Sequence, residues 1–330
     1  MVASSACVFD DPPETRELNW QVGVGFPEAK WIFPAANGVV CAANDAKFTL
    51  DGSRIGGGYV YCSRGTPSAW EPVVPDDGTT LLGYPSLAGL WAFVRSSPAL
   101  GPTSAFQLGA KGPTTLAVPQ TGMVSYTATG KQVVNSASSW KLVDADGNST
   151  PLAVLAGESF VSVGRNDEVI FGNAATGWFA VEETGRMQVL AANADTLEFI
   201  GQASDGTMYA ATLAANGVMT FWRAAKGTIT KIDAPPYLLD HRHHQQCAVT
   251  RDGTLFCLMA FQESFNDETG DGWLAHAELL KLSGTTWQRL GLGPPASSGV
   301  QNAFVLAADA NGNVFAKDTA QFGAVYGLRY

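Results

Sequence analysis

The chain has 330 residues, 46% of them hydrophobic and 15% charged, with a formal net charge of -10. A surface this acidic, with no basic stripe carrying interleaved aromatics, repels phosphate backbones and argues against a nucleic-acid partner. No apolar run reaches the ~18 residues that a membrane span needs, and no amphipathic helical window exceeds about two turns.

Residues 1-16 read as an N-terminal tail. Within it Cys7 follows Ser4-Ser5-Ala6, small residues like those before a bacterial lipoprotein cleavage site, and precedes the polar FDDPPETRE, which suits a tether. The apolar stretch and the Leu that usually precede such a site are missing. Cys7 is therefore either a lipid-anchor position or a coincidence of small residues. Residues 17-330 read as a single repeat domain.

The repeat shows first in hairpin turns. Asn37-Gly38 separates WIFPAA from VVCAA, Ala88-Gly89 separates LLGYPSL from LWAFV, and Thr129-Gly130 separates MVSYTA from QVVNSA. Further on, Asn166-Asp167, Asp205-Gly206, Asp252-Gly253 and Asn311-Gly312 divide apolar, β-rich runs in the same way. Gly accepts the positive φ that such turns require. The turns fall at 38, 89, 130, 167, 206, 253 and 312, in steps of 51, 41, 37, 39, 47 and 59. A second ladder alternates with the first, at Gly65, Gly112, Gly147, Gly185, Gly227 and Gly284. Each of these also separates two short apolar-rich strands.

The last unit holds only three strands before Tyr330, and Leu18-Asn19-Trp20-Gln21-Val22 copies the outer-strand pattern of Ala69 to Val73 and Thr286 to Leu290. An N-terminal strand pairing near Ala324 to Arg329 would complete that unit and protect the edges of the array. The spacing lies around the period of roughly 40 to 50 residues of four-stranded blades. From about Glu17 to Tyr330 the chain thus resembles a seven-bladed β-propeller, all-β, with four-stranded antiparallel blades and the N-terminal strand completing the last. It has no Trp-Asp blade endings, no paired-glycine kelch motif and no sialidase Asp-box.

In this blade map, pairing Thr250 with Thr254 across Arg251-Asp252-Gly253 sets Cys247 opposite Cys257. Cys41 and Cys62 fall on adjacent strands of blade one. Opposed cysteines can bridge, or pack as buried thiols. Two bridges would favour an extracellular, periplasmic or cell-surface protein.

The resemblance to propellers implies one face built from short hairpin turns and another from longer loops. Blade six brings two long polar segments to the longer face. APPYLLDHRHHQQ carries Tyr237, Asp240, His241, Arg242, His243 and His244, with three of the four histidines in the chain. The stretch from Gln262 to Gly272, expected as a loop, carries Asp267, Thr269 and Asp271 and is followed by Trp273 and Glu278. Its spacing matches a calcium loop except for Thr at the third position, and the bland alternative is a charged surface loop. The histidines could contact a polar ligand, bind a metal or move protons. In an extended run only alternate ones point the same way.

No nucleophile elbow, Cys-x-x-Cys pair, His-Glu-x-x-His or phosphate loop is present. The favoured reading is a monomeric, non-enzymatic binding module that recognises a glycan or protein partner through blade six. The second reading is a saccharide lyase or hydrolase using the blade-six histidines with Ca2+ or another divalent cation.

Overall fold

The computed structural model describes residues 16–22, 29–35, 38–48, 54–63, 69–87, 91–109, 112–136, 139–182, 185–190, 196–213, 219–233, 246–267, 270–294, 304–318 and 325–329. Of these, 47–48, 54–55, 109, 196–198, 213, 219, 246, 259–267, 270–276 and 304 are described by their backbone alone. Seven four-stranded antiparallel sheets make a β-propeller. Six are the consecutive blades 31–74, 80–116, 123–151, 159–190, 196–232 and 246–292. The seventh joins the strands of 304–328 to the N-terminal strand Gln21–Val22, which pairs as Gln21↔Gly327 and Val22↔Tyr326. A small extra hairpin, Lys47–Phe48 with Arg54–Gly56, sits between the second and third strands of blade one.

One turn device is repeated around the ring. In blade one, Ala35 N donates to Val39 O at 2.7 Å and Gly38 N to Ala35 O at 2.9 Å. The same pair of bonds recurs at Thr127, Ala203, Thr250 and Asp309. Each closes a three-residue loop whose last residue must be left-handed. Gly fills that place at Gly38, Gly130, Gly206, Gly253 and Gly312, with φ between +80° and +89°, and blade four uses Asp167 at +64°. Asp167 holds the costlier conformation while its carboxylate accepts Thr129 N of blade three at 2.9 Å. The blade-two turn at Gly89 lies outside the described residues.

The hydrophobic core is distributed rather than central, with one cluster between each pair of neighbouring blades. Phe33, Cys41, Val60, Leu81 and Phe93 join blades one and two, whereas Val133, Leu142, Val163 and Phe171 join blades three and four. Ile32, Val40, Phe315 and Val325 join blade seven back to blade one. Alternation along each strand sends successive side chains into the two flanking interfaces. Outer-strand tryptophans fasten consecutive blades. Trp287 Nε1 donates to Asp233 O of blade five at 2.7 Å, and Trp20 Nε1 donates to Leu292 O of blade six at 2.9 Å.

Blade six departs from the sequence expectation. Gln262 to Asp267 and Gly270 to Gly272, expected as a loop, lie in strands. Its third strand and the one before it, Leu255–Asp267 and Gly270–Ser283, stay paired up to Asp267↔Gly270. Among the described residues the first strand of the blade pairs as far as Leu258, and the outer strand as far as Glu278. The paired residues beyond, Ala260 to Asp267, form a two-stranded ribbon of about 27 Å at ~3.4 Å per residue. Outside a sheet sandwich, strands have no buried face to demand apolar residues, so a ribbon and a polar loop share one composition.

Two buried carboxylates meet arginines within the blades. Glu158, whose side chain is 0% exposed, is bonded by Arg186 through Nη1 at 2.8 Å and through Nη2. The Arg186 bonds hold the Glu158 carboxyl below the usual carboxylate range, against the effect of burial. A depressed folded value means stability that is complete above the unfolded value of about 4.3 and lost as pH falls through the folded one. Arg186→Met is therefore expected to reduce stability at neutral pH and to flatten the fall in melting temperature below about pH 4. An acid limb unchanged from wild type in calorimetric scans would assign that fall to other carboxylates.

Candidate functional site

Tyr237, Asp240, His241, Arg242, His243 and His244 lie outside the described residues, as does Thr269. The backbone places Asp267 opposite Gly270, Asp271 opposite Asn266, and Trp273 opposite Ser264, all along the ribbon. Glu278 stands apart from them. It pairs with Met259, eight residues down the strand from Gly270 and so about 27 Å away. Its side chain is 1% exposed and bound by Arg289, through Nε at 2.6 Å and through Nη2. Glu278 is thus held far along the strand from the backbone of Asp267 and Asp271. Among the described residues no three His, Cys, Asp or Glu side chains gather as a metal would require.

Both disulfides form, Cys247–Cys257 in the register expected from counting outward from its turn and Cys41–Cys62 between the adjacent strands expected. Cys41 pairs with Cys62 and Cys247 with Cys257, each with 4.0 Å between Cα atoms. Among the described residues no helix is long and apolar enough to cross a membrane.

A second place lies in the central channel. A cavity of about 600 Å³ opens among the first strands and first turns of the blades. Its walls include Phe33 and Trp91, Phe199 and Ile200, and the polar side chains Arg165, Gln202, Arg251 and Asp309. The segment Pro85 to Leu87 of blade two forms one wall. Leu87 N donates to Val163 O of blade four at 2.9 Å, and Leu87 O accepts Gln202 N of blade five at 2.8 Å. This segment passes blade three to reach its partners, and no described residue of blade three lines the cavity.

Most carboxylates here are turned into their own hairpins. Asp309, 2% exposed, accepts Asn311 N and Asn313 N at 2.8 Å and Asn313 Nδ2 at 2.7 Å. Asp252 accepts Thr254 N at 3.2 Å and the Thr250 hydroxyl, and the latter first of all holds it below the usual carboxylate range. Glu168, 4% exposed, accepts Asn166 N at 2.6 Å and Gln202 Nε2 at 3.0 Å. The arginines differ. Arg165 is half-buried and Arg251 exposed. Burial lowers the Arg165 pKa, the neighbouring Arg251 charge lowers it further, and Glu168 offsets only part of this.

The turn ladder held a signal for these two residues. The first residue of the three-residue loop is Ala36, Ala128, Ser204 and Ala310 in blades one, three, five and seven. In blades four and six it is Arg165 and Arg251. Their backbone N–H or C=O joins the neighbouring turn, as in Ser204 N to Arg251 O at 2.9 Å and Arg165 N to Gln202 Oε1 at 2.6 Å.

No protein-family model and no curated protein matches the chain. Among solved structures it is similar to a fungal alcohol oxidase of the AA5 family in complex with copper. That match has 12% identity and a TM-score of 0.55, over 94% of this chain and 76% of that one. It is also similar to the WD40 domain of SCAP from fission yeast, at 10% identity and a TM-score of 0.47 over 94% of both chains. The WD40 domain of Toxoplasma gondii coronin has 10% identity and a TM-score of 0.46, over 96% of this chain and 87% of that one. At such identities a likeness speaks to the fold alone.

Proposed function

We propose that the chain is an exported or cell-surface binding module that recognises a glycan or protein partner through the long-loop face of blade six. In this reading residues 1-16 are a tether, with Cys7 as its attachment point. The observation that carries the proposal is the ribbon, which runs about 27 Å past the residues paired to its neighbouring strands. A two-stranded ribbon is marginal by itself in water, so contact with a partner would stabilise it. Binding residues concentrate where a rigid scaffold presents extended polar segments. The two disulfides are compatible with an oxidising compartment.

Replacing residues 262–275 by an Asn-Gly turn should leave the melting temperature within about 2 °C of wild type, because the ring interfaces are untouched. The same change should abolish binding in a glycan-array and surface-protein screen that detects the wild type. His241→Ala, His243→Ala and His244→Ala together should weaken it. Undiminished binding by the shortened variant would remove blade six as the recognition surface.

A further inference from the structure

The channel cavity is lined by two arginines and lies apart from the blade-six ribbon. Four of the six described or sequence-matched first turns hold Ala or Ser at their first loop residue, and two hold Arg. Those two turns flank the blade-five turn, where the small Ser204 stands between them, and both arginines line one cavity. Burial disfavours the Arg165 charge, the like charge of Arg251 disfavours it further, and Glu168 offsets part of this. Such an arrangement gains most from a negative group placed between the arginines, since Arg forks match carboxylate and phosphate oxygens.

The rest of the lining limits what carries that negative group. Trp91 stacks on Phe33 with ring centroids 4.8 Å apart, and together with Phe199 and Ile200 they give the cavity an apolar wall. A volume of about 600 Å³ is that of a small-molecule pocket. We propose that this channel mouth binds a small organic oxyanion, a carboxylate or phosphate monoester, held by Arg165 and Arg251 with its apolar body against Trp91 and Phe199. Gln202 lines the same wall, but its side chain is engaged by Glu168 and Arg165 N and keeps the Arg165 turn in place.

Calorimetric titration of the full chain with benzoate, phenyl phosphate and inorganic phosphate tests this. At least one of the two organic anions should bind at one site, at least tenfold more tightly than inorganic phosphate. Benzoate alone or phenyl phosphate alone would identify which oxyanion the arginines take. Arg251→Gln, at an exposed position, should weaken that binding tenfold or more with no change in melting temperature, and Arg165→Gln should weaken it similarly. If Arg165→Gln fails to fold, Arg251→Gln decides. The variant lacking the blade-six ribbon should bind as wild type does, so failure of either site is distinguishable from failure of the other. No binding of either organic anion at about 10 mM would overturn the site. So would equal affinity for inorganic phosphate, or wild-type affinity in Arg251→Gln.

Discussion

Arg289→Met is expected to cost about 3–5 kcal/mol of stability, because it strands the Glu278 carboxylate inside blade six without its cation. Glu278 is 1% exposed and directly precedes Leu279 and Leu280, both wholly buried in the packing between blades. Arg289 lies on the outer strand, where Leu280 pairs with it, and bends to Glu278 through Nε and Nη2. A carboxylate so placed cannot recover its hydration when the guanidinium is removed. The double replacement Glu278→Leu with Arg289→Met should recover much of the loss, since an apolar pair of similar volume often equals a buried ion pair. Urea unfolding of the two single variants and the double variant completes the cycle. A single variant as stable as wild type would show that water or another group reaches Glu278.

Loss of both disulfides is the other large effect. Closing loops of 10 and 21 residues corresponds to about 2.7 and about 3.3 kcal/mol on the chain-entropy model. Replacing Cys41 and Cys62 together by Ala should therefore cost slightly more than the same change at Cys247 and Cys257. The sulfurs are sheltered, with Cys41 and Cys257 at 0% exposure, so reduction should be slow until denaturant opens the blades. Thiol titration of unreduced, denatured protein should find one thiol, that of Cys7, or none where Cys7 carries its anchor. Three or more thiols would mean that one bridge does not form in solution.

The repeat was legible because each blade is built from contacts close in the chain. A three-residue loop ending in a left-handed residue is written locally, as in Thr250-Arg251-Asp252-Gly253-Thr254, and counting outward from it sets Cys247 against Cys257. The alternation of two such turns reveals seven units, and the outer-strand pattern around Trp20 points to the unit it belongs with. These features depend on backbone dihedral preference and strand pairing, both of which act over a few residues.

Other features were decided only by the ring. Gln262 to Gly272 reads as a loop because polarity reports the lack of a buried face and says nothing about whether two strands still pair. Glu278 fits a calcium spacing in one dimension, yet strand geometry carries it away from Asp267 and puts it beside Arg289. Leu87 finds Val163 and Gln202 across the channel, and Arg165 comes to share a cavity with Arg251, 86 residues away in the chain. Residues that far apart meet only after the blades have closed on one another. The interface clusters bring that about, since burial is non-directional and leaves no mark at any one position of the sequence.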